Sequence, residues 1–183
     1  MGRSVITSYF KGSCEPVNPG GTESYAFIIF KDGNRVYYEA NLVWPHFLSL
    51  PNIVFKPVVT CINASQYYAC IFLLTYLLQN GYKDESILVY GDSKLVINQM
   101  SGIWKIGQGH YLFLGHYCKE VLLKLFKDIK FQWFSGEDNF MADKLSKDVL
   151  KDAGIEISNW KENAGYWIGR TKKIKKEKKL ENE

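Results

Sequence analysis

The segment Ile87-Leu88-Val89-Tyr90 is wholly apolar and is closed by Gly91-Asp92. Successive side chains of a strand point to opposite faces, so four apolar residues in a row call for burial on both faces. That requirement favours parallel pairing in a sheet covered by helices, because a sheet wetted on one side alternates. The flanking segments supply the helices. Asn63 to Gln79 is apolar nearly all round and runs out at Gly81, which reads as a buried helix with a glycine stop. Downstream come a helix from Ser93 to Met100, a link carrying Gly102, Gly107 and Gly109, and a longer helix from Tyr111 to Lys127. A strand from Ile129 to Trp133 and a last helix from Asn139 to Asp152 follow, with Asp138 or Asn139 as its N-cap.

The N-terminal part has a different pattern. Ser4 to Phe10, Tyr25 to Lys31 and Arg35 to Val43 are β-branched and aromatic, with turn residues at Asn18-Pro19-Gly20-Gly21 and Asp32-Gly33-Asn34. They read as a three-stranded antiparallel meander, joined to the first helix by a loop with Pro45, Pro51 and Pro57. The element order β-β-β-α-β-α-α-β-α predicts an α/β fold: a five-stranded mixed sheet, three strands antiparallel and two parallel, with helices on both faces. Residues 1–152 are expected to form one domain. Residues 153–169, with Trp160, Tyr166 and Trp167, read as an extension docked on it, and 170–183 as a disordered Lys-rich tail.

Charge is divided in the same way. Seven of the 23 Lys and Arg residues lie in Arg170 to Glu183 beside three acids, so the body is neutral and the tail carries the excess of +4. Clustering rather than total charge makes a nucleic-acid footprint, so the overall excess says little about such a face, and a neutral body gives a duplex little to hold. Cys14, Cys61, Cys70 and Cys118 form no Cys-x-x-Cys pair, and His46, His110 and His116 are not at zinc-ligand spacing from them, which points to reduced thiols. Tyr67 to Leu78 is too short to span a bilayer, and Ile6 stands where a myristoylation signal wants Ser or Thr. The expectation is an intracellular protein with no membrane partner. The Lys-rich tail is compatible with nuclear import, with phosphate contact, or with simple solubilisation.

Three local patterns carry chemistry. Tyr9-Phe10-Lys11-Gly12-Ser13-Cys14 closes the first strand; Val89-Tyr90-Gly91-Asp92-Ser93 leaves the buried fourth strand; and Asn139-Phe140-Met141-Ala142-Asp143 opens the last helix. An Asp at a strand end or helix start is by itself an ordinary cap. In this order, over this string of elements, the patterns resemble the type 1 ribonuclease H family from about Ser4 to Leu150. The similarity is to the subgroup that lacks a His-containing loop, since Phe134-Ser135-Gly136-Glu137-Asp138 carries no histidine.

The resemblance implies a ribonuclease H-like fold and, for intact members, hydrolysis of the RNA strand of RNA/DNA hybrids by two Mg²⁺ ions roughly 3.5 to 4 Å apart. Mg²⁺ demands oxygen ligands, and the family supplies four carboxylates. Here Lys11 stands at the position of the bridging Asp and Gln66 at that of the Glu in Asn63-Ala64-Ser65-Gln66-Tyr67, while Asp92 and Asp143 match. An ammonium has three donors and no lone pair, so it cannot ligate a metal. Glu15 and Glu23, the nearest other acids, flank the first turn rather than ending a strand.

Four crowded carboxylates without metal repel by about 4 kcal/mol per close pair at about 4 Å and an effective dielectric of 20. Lys11 and neutral Gln66 reduce the formal pocket charge from −4 to −1. The expected arrangement therefore has Lys11 paired with both Asp92 and Asp143, no intact catalytic set, and no cofactor. Mg²⁺ or Mn²⁺ would enter at Asp92 and Asp143 only if weak, Mn-dependent cleavage survives. The expected role is that of an inactive relative that binds RNA/DNA hybrid or RNA, with Gly12, Ser13, Asn18, Asn63, Ser93 and Lys105 as candidate contacts, or that assembles with a protein partner.

Overall fold

The computed structural model describes residues 5–43 and 59–158. The proline loop, most of the proposed extension and the tail lie outside the described residues. Strands β1 (Val5–Glu15), β2 (Thr22–Lys31) and β3 (Asn34–Leu42) form the meander, followed by helix α1 (Ile62–Gln79). Strand β4 (Ser86–Gly91), α2 (Lys94–Met100), α3 (Leu112–His116), β5 (Asp128–Trp133) and α4 (Phe140–Asp152) complete the order. The sheet runs β3-β2-β1-β4-β5, with β1 parallel to β4, β4 parallel to β5, and the meander antiparallel. This is the mixed five-stranded sheet expected from the sequence.

Most element bounds shift by a residue from the sequence reading, β2 begins three residues earlier, at Thr22, and two elements differ by more. Strand β1 continues past Phe10 to Glu15, because Lys11 to Glu15 keep their antiparallel partners Ala26 to Thr22. Pairing across the sheet overrides the weak strand preference of Gly12 and Ser13. The helix expected over Tyr111 to Lys127 is shorter and irregular: α3 passes into a π-helical Tyr117–Leu122 and a 3-10 turn, Leu123–Leu125. Leu114, Cys118 and Leu122, four residues apart, are its buried face. Backbone turns extended at Phe126, which starts the approach to β5.

Alternation along β1 distributes the layers. Ile6 and Phe10 join Phe27, Ile29 and Val89 in the main core beneath α1, whose Ala64, Tyr67, Cys70, Ile71, Leu74 and Leu77 are buried. Gly12 shares that face, and α1 comes so close that a Cβ on Gly12 would lie 2.1 Å from the Ser65 carbonyl carbon and 2.3 Å from the Gln66 nitrogen. Ser13 points the other way, its hydroxyl 2.8 Å from that of Ser146 on α4, while Ser24 Oγ donates to the Ser146 carbonyl (2.7 Å). Helices therefore cover both faces. Cys14, Cys70 and Cys118 are buried and Cys61 is half-buried, all as free thiols; burial pushes the Cys14 thiol up to about 12. Among the described residues no helix is long and apolar enough to cross a membrane.

The start of α1 is held by the meander. Cys61 is its N-cap, with Sγ accepting from the Ala64 N–H (3.4 Å). Asn18 Oδ1 accepts from the Ile62 N–H at 2.9 Å, and Glu23 Oε1 from the Cys61 N–H at 2.8 Å. Glu23 is buried, which pushes its carboxyl up from 4.5 to about 7 against the opposing pull of the Cys61 N–H.

Two expectations follow for stability. Gly12→Ala must push α1 off the sheet and should lower the unfolding free energy in urea by about 3 kcal/mol. For Glu23 the folded-state value lies above the unfolded one, so its stabilising contribution is full below about pH 4.5 and is lost as pH rises through about 7. The loss is on the order of 3 kcal/mol. Glu23→Gln should flatten the fall in thermal midpoint between these pH values, and an unchanged pH profile would contradict this account.

Candidate functional site

The site forms where β4 ends and β1 does not. Phe10 and Gly91 are the last pair between these strands, so Lys11 is the first β1 residue beyond the end of β4, beside the turn that carries Asp92. Asp143 comes from the first turn of α4. That helix is fastened to β1 by Asn139, which is buried and donates its Nδ2–H to the Phe10 carbonyl at 3.0 Å. Asn139 occupies the N-cap position but makes no side-chain cap bond. The capping role read from the sequence gives way to a tie between helix and sheet.

Lys11 Nζ lies 2.5 Å from Asp92 Oδ2 and 3.3 Å from Asp143 Oδ1. Lys147, one turn along α4, places its Nζ 2.7 Å from Asp143 Oδ2. Two ammonium groups thus face two carboxylates, and the cluster carries no net charge. The side chains of Lys11 and Asp92 are only 15% and 10% exposed, so solvent screens this pair less than a surface ion pair. Lys147 escaped the sequence reading; its i+4 spacing from Asp143 on a helix is the signal that could have found it.

Gln66 completes the cluster from α1. It is buried, and its Nε2 donates to the Gly12 carbonyl (3.2 Å) and to Asp92 Oδ1 (3.3 Å). Both partners are acceptors, so a carboxylate here would face only oxygens unless a cation intervened. Gln66 Oε1 and Asn139 Oδ1 are buried without a hydrogen-bond partner among the described residues. The main chain of Asp92 is fixed too, since the Trp133 indole N–H donates to its carbonyl at 3.0 Å.

The metal pair that the family resemblance implies does not fit this donor set. Of the four positions, two hold carboxylates, one directs amide hydrogens toward Asp92, and one places an ammonium between the aspartates. Among the described residues no three His, Cys, Asp or Glu side chains come together as a metal site.

The structure brings Lys11, Gln66, Asp92 and Asp143 together, as the family resemblance implied; of the candidate contacts, Ser13 and Asn18 line the cleft beside Lys11, and most of the six are engaged in internal bonds or packing. Gly12 and Ser13 are buried, the one against α1 and the other against Ser146. Asn18 secures Ile62, and Ser93 is the N-cap of α2, accepting from the Val96 N–H. Asn63 is half-buried in the first turn of α1, and Lys105 is exposed with its carbonyl accepting from Gln99 Nε2 (3.0 Å). Glu15 ends β1, rather than only flanking the turn as its sequence position suggested, and faces the cleft beside Lys11 while accepting from the Ser158 N–H (3.0 Å) and hydroxyl; Glu23 lies on β2 and accepts from the Cys61 N–H. An open cleft of about 330 Å³ lies beside Lys11, lined also by Ser13, Cys14, Glu15, Asn18, Asp143 and Lys147.

If Lys11 neutralises the two aspartates, Lys11→Met leaves Asp92 with only the Gln66 amide. We expect a loss of about 2 kcal/mol in urea unfolding, below the cost of breaking a fully buried pair because the cleft admits water. A variant as stable as the parent would show that the pair contributes nothing.

Comparison with known proteins identifies the family and the fold. The family model described as "Reverse transcriptase-like" matches residues 55–149. A bifunctional protein of Mycobacterium tuberculosis is 32% identical over 91 residues, which is 50% of this chain and 24% of that protein. The chain thus spans about a quarter of the length of the curated relatives it matches. Among solved structures, ribonuclease H1 from the halophilic archaeon Halobacterium salinarum is 24% identical, with a TM-score of 0.65 over 81% of this chain and 98% of that one. The N-terminal ribonuclease H domain of the Mycobacterium tuberculosis protein gives 22% and 0.65, over 82% of this chain and 96% of that one. A ribonuclease H1 called LC11, solved in complex with an RNA/DNA hybrid, gives 22% and 0.66, over 81% and 98%. The family-model match over half of the chain shows that it belongs to the reverse transcriptase-like family, and the strand order with the similarity to these solved structures shows the ribonuclease H-like fold.

Proposed function

We propose that this domain is a nucleic-acid-binding relative of ribonuclease H that does not cleave its ligand. The observation that carries this reading is the Lys11 ammonium between Asp92 and Asp143, 2.5 and 3.3 Å away. A group with no lone pair stands at the position from which the family bridges two ions, so the pocket is neutralised from within and needs no cofactor. The ligand class is RNA/DNA hybrid or RNA, supported by the LC11 ribonuclease H1 solved with a hybrid. Ser13 and Gly12 act in this reading as packing residues, and Asn63 and Lys105 remain as contacts. The Lys-rich tail adds a salt-dependent attraction to phosphates.

The test pairs binding with cleavage, using the unmodified full chain and a labelled RNA/DNA hybrid. Binding should weaken steeply between roughly 50 and 200 mM salt, as counterions are released. No product should form at high protein concentration in Mg²⁺ or in Mn²⁺. Metal-dependent product that disappears in Asp92→Asn would overturn the non-catalytic reading and establish a rearranged nuclease. Absence of binding at low salt would overturn the nucleic-acid reading in favour of a protein partner.

A further inference from the structure

The rim of the ion cluster carries large apolar side chains where a solvated surface is expected. Trp133, at the end of β5, is 42% exposed, and Phe140 and Met141, which open α4, are 61% and 37% exposed. The indole is held in place, since its N–H donates to the Asp92 carbonyl at 3.0 Å. Lys94, the first residue of α2, sets its Nζ over the indole face, 4.6 Å from the centroid, as a cation–π contact. Phe140 lies three residues before Asp143, and residues at that spacing share a helix face. Asp143 and Asp92 are themselves joined through Lys11, so the aromatic residues flank one neutralised cluster from β5 and from α4.

A fixed, exposed indole beside a lysine combines the two elements by which proteins hold single-stranded nucleic acid: a ring on which a base stacks and a cation for the neighbouring phosphate. A regular duplex offers its base faces to neither, because they are already stacked. We infer that the rim formed by Trp133, Lys94 and Phe140 is a stacking site for unpaired bases of single-stranded RNA or DNA. The inference rests on the nucleic-acid reading above and makes it more specific. Bases stack on Phe140 and on Trp133, where the incoming base displaces the Lys94 ammonium from the ring to the neighbouring phosphate, and the uncharged cluster nearby does not repel the phosphates as four bare carboxylates would.

Fluorescence anisotropy with short labelled single-stranded RNA and DNA, and with the hybrid for comparison, tests the site on the full chain. Single strands should bind, and Trp133→Ala and Phe140→Ala should each weaken that binding roughly fivefold or more. Trp133→Phe keeps a ring but loses the bond to Asp92, so it should retain most of the affinity, which separates stacking from support of the Asp92 turn. Lys94→Ala should lower the salt dependence. Phe140 is more exposed than Trp133, so its variant keeps the test valid if Trp133→Ala folds poorly, with circular dichroism as the check. Hybrid binding without single-strand binding, or unchanged affinity in Trp133→Ala and Phe140→Ala, would overturn the stacking site while leaving the broader reading intact. Failure of both ligands to bind would overturn both.

Discussion

An ammonium held between two carboxylates on three different elements is the interaction around which this domain is arranged. Lys11 comes from β1, Asp92 from the turn after β4, and Asp143 from α4. Bringing two aspartates together in a partly desolvated place costs several kcal/mol unless positive charge arrives with them. Lys11 and Lys147 supply it from within the chain. The neutral Gln66 amide suits the same need, since it can donate to both the Gly12 carbonyl and Asp92.

The neighbouring contacts keep those charges in register. Gly12 lets the backbone of α1 touch β1, which sets the height of Gln66 over the sheet. On the opposite face Asn139 ties α4 to the Phe10 carbonyl, and Ser146 accepts from Ser24. The buried Glu23 carboxylate and Asn18 hold the start of α1. Each is a polar group placed where a backbone N–H or carbonyl would otherwise lack a partner, and such groups are costly to leave unpaired in the interior. Residues that resemble ligand contacts in sequence, Gly12, Ser13, Asn18 and Ser93, are engaged in this internal work.

Much of the fold is legible from pattern. The wholly apolar Ile87 to Tyr90 implied parallel pairing, and β4 does lie between β1 and β5. The turn at Asp32-Gly33 was readable because both residues adopt positive φ, at 51° and 80°, as a tight hairpin requires. Less legible was the length of β1, because Gly12 and Ser13 are strand residues only by virtue of their partners on β2. The irregular helix after Leu112 was hidden for a related reason: spacing predicts which residues face the core but not whether a turn widens to five residues. Asn139 looked like a cap, and Trp133 like the last residue of a strand. Their actual roles depend on what lies across from them.

The sequence by itself determined the class of fold, the order of its elements, and the four residues that meet at the end of β4. It also determined the chemistry possible there, because a lysine and a glutamine among the four bring hydrogen-bond donors that carboxylates lack, wherever the chain puts them. Only the tertiary structure decided how that chemistry is arranged. Lys147 joins the cluster, the Gln66 amide turns toward Asp92, and Trp133 is locked beside it with Lys94 at its ring. The physical reason is that side-chain chemistry is local, whereas ion pairs, close packing and exposure depend on distances between residues far apart in the chain.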